Sequence, residues 1–176
     1  MNLNIIGYRN LNIFADEHNN LVIFSSVKNP NYRPLLPDEW PSRDNPARFD
    51  AKTPFELSYP YTENELAETL IKGFDSWDNV EPYKGKATLP EHYYRIKGYK
   101  NATRGKKLLS ISWGEDKKSI RVYFPMKQKD AYLQITEITL ATSATINELT
   151  KALMDSLQID LTQCNTYKTF KGRLNI

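Results

Sequence analysis

The sequence predicts an α+β fold, a mostly antiparallel twisted β-sheet with two or more helices packed on it. Three observations predict it. The first is a phrase that occurs twice: Thr62-Glu-Asn-Glu65-Leu66-Ala-Glu-Thr-Leu70 returns as Thr145-Ile-Asn-Glu148-Leu149-Thr-Lys-Ala-Leu153. In both copies a Thr stands three residues before a Glu, the spacing at which each side chain reaches the other's backbone N–H and starts a helix. The second is the alternation of Ile120, Val122 and Phe124 with Ser119, Arg121 and Tyr123, which marks a strand with one buried face. The third is a pair of β-rich stretches, residues 3–14 and 21–27, parted by a polar run at 16–20 that reads as a hairpin loop.

After that hairpin comes a proline-rich tract. Six of the ten prolines (Pro30, Pro34, Pro37, Pro41, Pro46, Pro54) fall here and exclude a long helix or a central strand. The first capped helix is expected over 63–77, with Leu66, Leu70, Phe74 and Trp77 on its core face. Residues 80–92, with Pro82, Gly85 and Pro90, read as loop, and 93–100 as a short aromatic segment of either kind. Three strands are expected next, at 107–113, 119–124 and 132–140, the first two joined by a tight turn. In the third the apolar phase slips between Leu133/Ile135 and Ile138/Leu140, which predicts a bulge near Thr136 and Glu137. The second capped helix covers 146–157, and a last strand is expected around 167–170. The repeated phrase has two explanations, an internal duplication or two helices converging on one cap.

At 176 residues, with 40% hydrophobic and 26% charged side chains, the chain suits one globular domain over 1–176. Its longest apolar runs are too short to span a bilayer, and residues 1–7 lack the basic-then-apolar pattern of a secretory signal. A lone Cys164 suits a reducing cytoplasm, the expected location. The net charge of +3 hides an asymmetry. Residues 95–129 carry 11 basic and 2 acidic side chains, whereas 1–94 carry 9 and 14. That basic middle reads either as solvated strand edges guarded by Lys or as a surface for a polyanion or an acidic protein.

Chemistry is harder to find. His18 and His92 have no second His or Cys at metal-ligand spacing, so no metal and no cofactor are expected. No nucleophile elbow, Walker loop or dinucleotide fingerprint occurs. Acidic pairs such as Asp16-Glu17 and Glu115-Asp116 sit in expected turns, where solvation explains them; a carboxylate pair assembled in space is the enzymatic alternative. The one mild excess is aromatic. Tyr94, Tyr99, Trp113, Arg121 and Tyr123, all in or beside the basic middle, are the candidate partner-binding residues. Interleaved rings and cations suit single-stranded nucleic acid, since bases stack while cations meet phosphates, and they equally suit a protein interface as anchors.

The order of elements carries a resemblance. A helix ending near Phe74, the approach Tyr93-Tyr-Arg-Ile-Lys-Gly-Tyr99, the strand Ser119-Ile-Arg-Val-Tyr-Phe-Pro125 and the capped helix from Thr145 to Leu157 together resemble the CdiI immunity proteins of contact-dependent growth inhibition, in the group that protects against nuclease toxins. The resemblance spans about 55–157. It implies a non-enzymatic bacterial protein that binds the toxic C-terminal domain of a CdiA effector, with a toxin hairpin extending the sheet. It carries no residue roles, because the family shares no catalytic motif. This chain departs from the acidic character common among nuclease inhibitors, being net basic. The alternative expectation is a nucleic-acid-binding module using residues 95–129.

Overall fold

The structure is a computed structural model, and it describes residues 9–29, 48–125 and 132–159. Most of the proline tract, Cys164 and the strand expected at 167–170 lie outside them.

Seven strands form one antiparallel sheet in the order β3-β2-β1-β5-β6-β7, with β4 also paired to β2. The strands are β1 (Arg9–Ala15), β2 (Leu21–Lys28), β3 (Arg48–Asp50), β4 (Phe55–Leu57), β5 (Lys107–Trp113), β6 (Lys118–Pro125) and β7 (Tyr132–Leu140). The first hairpin closes through Asp16, whose carboxylate accepts the backbone N–H groups of His18 and Asn20. Both proline-flanked strands, β3 and β4, are three residues long and pair only with β2, as edge positions require.

Alternate residues of the long strands build the main core. Leu11 and Ile13 of β1, Ile23 of β2, Leu109 and Ile111 of β5, and Ile120 and Val122 of β6 all face one side. Two helices cover that side, α1 (Glu63–Asn79) and α4 (Ile146–Leu157). Both start where the repeated phrase predicts. Glu65 N–H donates to Thr62 Oγ1 at 3.2 Å and Thr62 N–H to Glu65 at 2.7 Å; Glu148 and Thr145 repeat the exchange at 3.3 and 2.7 Å. Leu66, Leu70 and Phe74 are buried as expected, but Trp77 is only half-buried and Ser76 takes the inner position. Gly73 lets α1 approach closely, since a Cβ there would lie 3.1 Å from Leu11 Cδ2 and 3.2 Å from Ser25 Oγ.

The other side of the sheet carries a smaller aromatic layer. Phe14, Phe24 and Leu89 are its buried centre. Two short helices lie over it, α2 (Leu89–Tyr94) and α3 (Tyr99–Ala102), where a loop and an ambiguous segment were expected. A third Thr/Glu pair starts α2: Glu91 accepts Thr88 N–H at 2.9 Å, and its other oxygen takes Gly98 N–H at 2.7 Å. Pro90 sits at the start of this helix, where its missing N–H breaks no bond.

In β7 the register against β6 shifts between Val122 and Tyr123, which face Thr136 and Gln134. Ile135 is the extra residue, so the bulge lies one position before the expected pair.

Candidate protein-binding face

The outward face of β5–β7 is built by parity. With Ile120 and Val122 inward, Arg121 and Tyr123 turn outward. Arg121 lies directly opposite Glu137 of β7, and its Nε is 3.2 Å from Glu137 Oε1. Lys117, from the β5–β6 turn, reaches the same oxygen at 2.9 Å. The turn that delivers it is closed by Gly114 N–H donating to Lys117 O. A hydrogen bond from Lys117, helped by the Arg121 charge, holds Glu137 below the usual glutamate value. Tyr123 lies two residues along the same face. One carboxylate therefore pairs with two cations. The set is rigid and charged, and it stands beside the edge of the sheet.

β7 forms that edge. Among the described strands it pairs with β6 alone. Gln134, Glu137 and Thr139 along it are exposed. Glu137 is exposed as a residue although its side chain is only 28% exposed, so much of what solvent meets there is main chain.

The five candidates do not form one surface. Arg121 and Tyr123 are together on the outward face. Tyr94, the last residue of α2, and Tyr99, the first of α3, are half-buried rather than displayed, and Tyr99 packs on the aromatic layer. Burial pushes the Tyr99 hydroxyl up to about 12 and raises Tyr94 strongly; the Tyr94 hydroxyl is buried without a hydrogen-bond partner. Trp113 is a correction. It is 3% exposed, on the helix side, with its ring stacked on Phe74 at 5.9 Å. Its parity with Leu109 and Ile111 places it there, and that signal was visible in the sequence. Lys117 and Glu137 were missed, because their meeting depends on cross-strand register that residue spacing does not reveal.

Two concavities flank α2. One, of about 200 Å³, lies between Phe14, Phe24, Leu89 and Tyr99. The other, more open and about 400 Å³, lies between Lys52, Glu56, Tyr93 and Arg95. Among the described residues no group of three or more His, Cys, Asp or Glu is placed to hold a metal ion. No described helix is long and apolar enough to cross a membrane.

No family model and no curated protein matches this chain. Solved structures do. A protein of unknown function from Neisseria meningitidis, NMB0488, matches over 94% of this chain and 100% of its own, with a TM-score of 0.51 and 14% identity. The two share a fold. A chain of the CdiA-CT/CdiI toxin and immunity complex from Yersinia pseudotuberculosis matches over 88% of this chain and 98% of its own, with a TM-score of 0.49 and 11% identity, too low to carry an argument.

Proposed function

We propose that this protein is an immunity protein, a non-enzymatic stoichiometric binder that neutralises the toxic nuclease domain of a CdiA-type effector in the cytoplasm. The observation that carries the reading is the β7 edge: a nine-residue strand on the rim of the sheet, paired among the described strands with β6 alone, beside the fixed Lys117–Glu137–Arg121 set. An edge of this kind accepts a strand from a partner, with main-chain hydrogen bonds supplying affinity and neighbouring side chains supplying selectivity. The resemblance of residues 55–157 to the CdiI proteins names the partner.

The nucleic-acid reading is the weaker of the two. A single-strand platform needs exposed rings for bases to stack on. Tyr93, Tyr94 and Tyr99 are instead half-buried and Trp113 is in the core.

The test is to look for a CdiA-type effector gene directly upstream and to co-express its C-terminal domain with this protein, followed by size-exclusion chromatography of the mixed purified proteins. Growth protection and a co-eluting complex of fixed stoichiometry are expected. Loss of viability with no co-elution overturns the reading.

A further inference from the structure

We propose that the concavity between β4 and α2 binds a small zwitterion of amino-acid or dipeptide size, the ligand's carboxylate meeting Arg95 and its ammonium meeting Glu56. The site does not depend on the immunity reading, because β4 pairs with β2 on the far side of the sheet from β7.

Strand parity delivers the acid. Phe55 and Leu57 of β4 pack against the main core, so Glu56 between them faces the α2 side. Its cross-strand neighbour Val22 packs on the aromatic layer of that side. The end of α2 delivers the base. Arg95 closes the helix in the left-handed region at φ 55°, with its N–H donating to Glu91 O. Both residues line one concavity of about 400 Å³. Leu89, which is buried, and Tyr93, whose ring meets Phe24 edge-on at 5.8 Å, add apolar lining. The chain leading into β4 is held as well. Lys52 N–H donates to Glu81 O at 3.1 Å, Ala51 bridges to Pro82, and Pro54 stiffens the step into the strand.

The two charges are left unjoined. Among the described residues neither the Arg95 guanidinium nor the Glu56 carboxylate has an ion-pair partner. The other charged or titratable groups on the lining are engaged elsewhere. Lys52 pairs with Glu81 at 3.2 Å, and the His92 ring lies against Tyr83, the centroids 5.1 Å apart. Burial, with Glu56 beside it, pushes the Tyr93 hydroxyl up to about 12, so at neutral pH it brings a hydroxyl donor and no charge.

A carboxylate and a guanidinium held apart over apolar lining suit a ligand with the reverse arrangement. A plain anion would bring its charge toward Glu56 and a plain cation toward Arg95, whereas a zwitterion gives each a charge-assisted hydrogen bond. The volume falls within the range of about 300–1,000 Å³ common to small-molecule sites. It leaves room for an apolar side chain against Leu89 and Tyr93.

The experiment titrates L-phenylalanine and the dipeptide leucyl-phenylalanine into the full chain and follows its backbone amides by NMR. Phenylpropionate and phenethylamine, each lacking one of the two charges, are the controls. Expected are saturable shifts at Glu56, Tyr93 and Arg95, with both controls binding about tenfold or more weakly, the effect of one lost hydrogen bond to a charged group. Arg95→Gln should bring the zwitterion down to the affinity of phenethylamine, and Glu56→Gln down to that of phenylpropionate. A thermal melt should not move in either variant, since both side chains are exposed. The tighter of the two zwitterions gives the length of the ligand. No saturable shift with either one overturns the proposal. Phenylpropionate binding as tightly as phenylalanine overturns it too, because Glu56 would then have no part in recognition. Neither result bears on the immunity reading, whose test uses a protein partner.

Discussion

Lys107 and Lys118, on adjacent strands, hold opposite ends of one helix. Lys118 Nζ donates to Ala144 O at 2.8 Å, immediately before the Thr145 cap of α4, and Lys107 Nζ donates to Leu157 O and Ile159 O at its far end. A helix ends with carbonyls that lack intrahelical donors and carry partial negative charge, so the Lys107 ammonium is well placed. Each ammonium also lies over a ring, Lys107 Nζ 5.1 Å from the Phe124 centroid and Lys118 Nζ 4.5 Å from that of Trp113.

Lys107→Met therefore keeps the apolar stem and removes the donor. It is expected to destabilise the fold by about 1.5–3 kcal/mol, the range for a lost hydrogen bond to a charged group. The check is a urea midpoint at neutral pH. An unchanged midpoint would show that α4 is held by its apolar face alone.

Trp113 separates folding from binding. Its ring is stacked on Phe74 inside the core, so Trp113→Ala and Phe74→Ala are each expected to cost about 3–5 kcal/mol through the cavity they leave. Gly73→Val, crowding Leu11 and Ser25, is expected to cost about 1–3 kcal/mol by overpacking. Denaturant curves measure all three. A Trp113→Ala protein as stable as wild type would mean that the ring does not pack where the structure puts it.

How much of this was legible depended on whether the cause was local. The start of α4 was, because Thr145 and Glu148 act across three residues and need nothing else. The turn to β6 and the alternation of Ile120, Val122 and Phe124 were local too. The start of α2 had the same signal in Thr88 and Glu91, but Pro90 between them read as a breaker when it stood at a position that tolerates it. The roles of Lys107, Lys118 and Glu137 were not legible. Lys107 and Leu157 O are 50 residues apart in sequence, and Arg121 meets Glu137 only once the bulge at Ile135 has set the register. A run of cations looked like one surface because the sequence does not say which face each strand residue takes.

Acid should loosen the protein at its helix starts and at Glu137. Hydrogen bonds from the partner threonines hold Glu65, Glu91 and Glu148 below the usual 4.5, and the bond from Lys117 does the same for Glu137. A carboxyl with a depressed folded value binds its proton more readily when unfolded. Its contribution is present above 4.5 and is lost as pH falls through the lower folded value. The urea midpoint is expected to stay level from pH 7 to about 5 and then fall. Thr62→Ala/Thr145→Ala should lower the midpoint at pH 7, each cap being worth about 1 kcal/mol, and should flatten the acid fall. An acid limb of unchanged steepness in that variant would remove the caps from the account.

Arg121 and Tyr123 carry the most direct expectation about function. They stand on the outward face of β6, one strand in from the β7 edge, with Arg121 braced by Glu137. Strand addition at β7 would bring a partner's side chains over this face, where an Arg braced by Glu137 loses little entropy on docking and Tyr123 offers a ring beside it. Arg121→Ala/Tyr123→Ala removes both groups and leaves Glu137 paired with Lys117. Exposed pairs of this kind contribute about 0–1 kcal/mol, so the melt should move little while protection against the co-expressed toxin domain weakens. Trp113→Ala supplies the contrast, since it should lose protection only in step with loss of fold. A well-folded double variant that protects as fully as wild type would move the interface off this face.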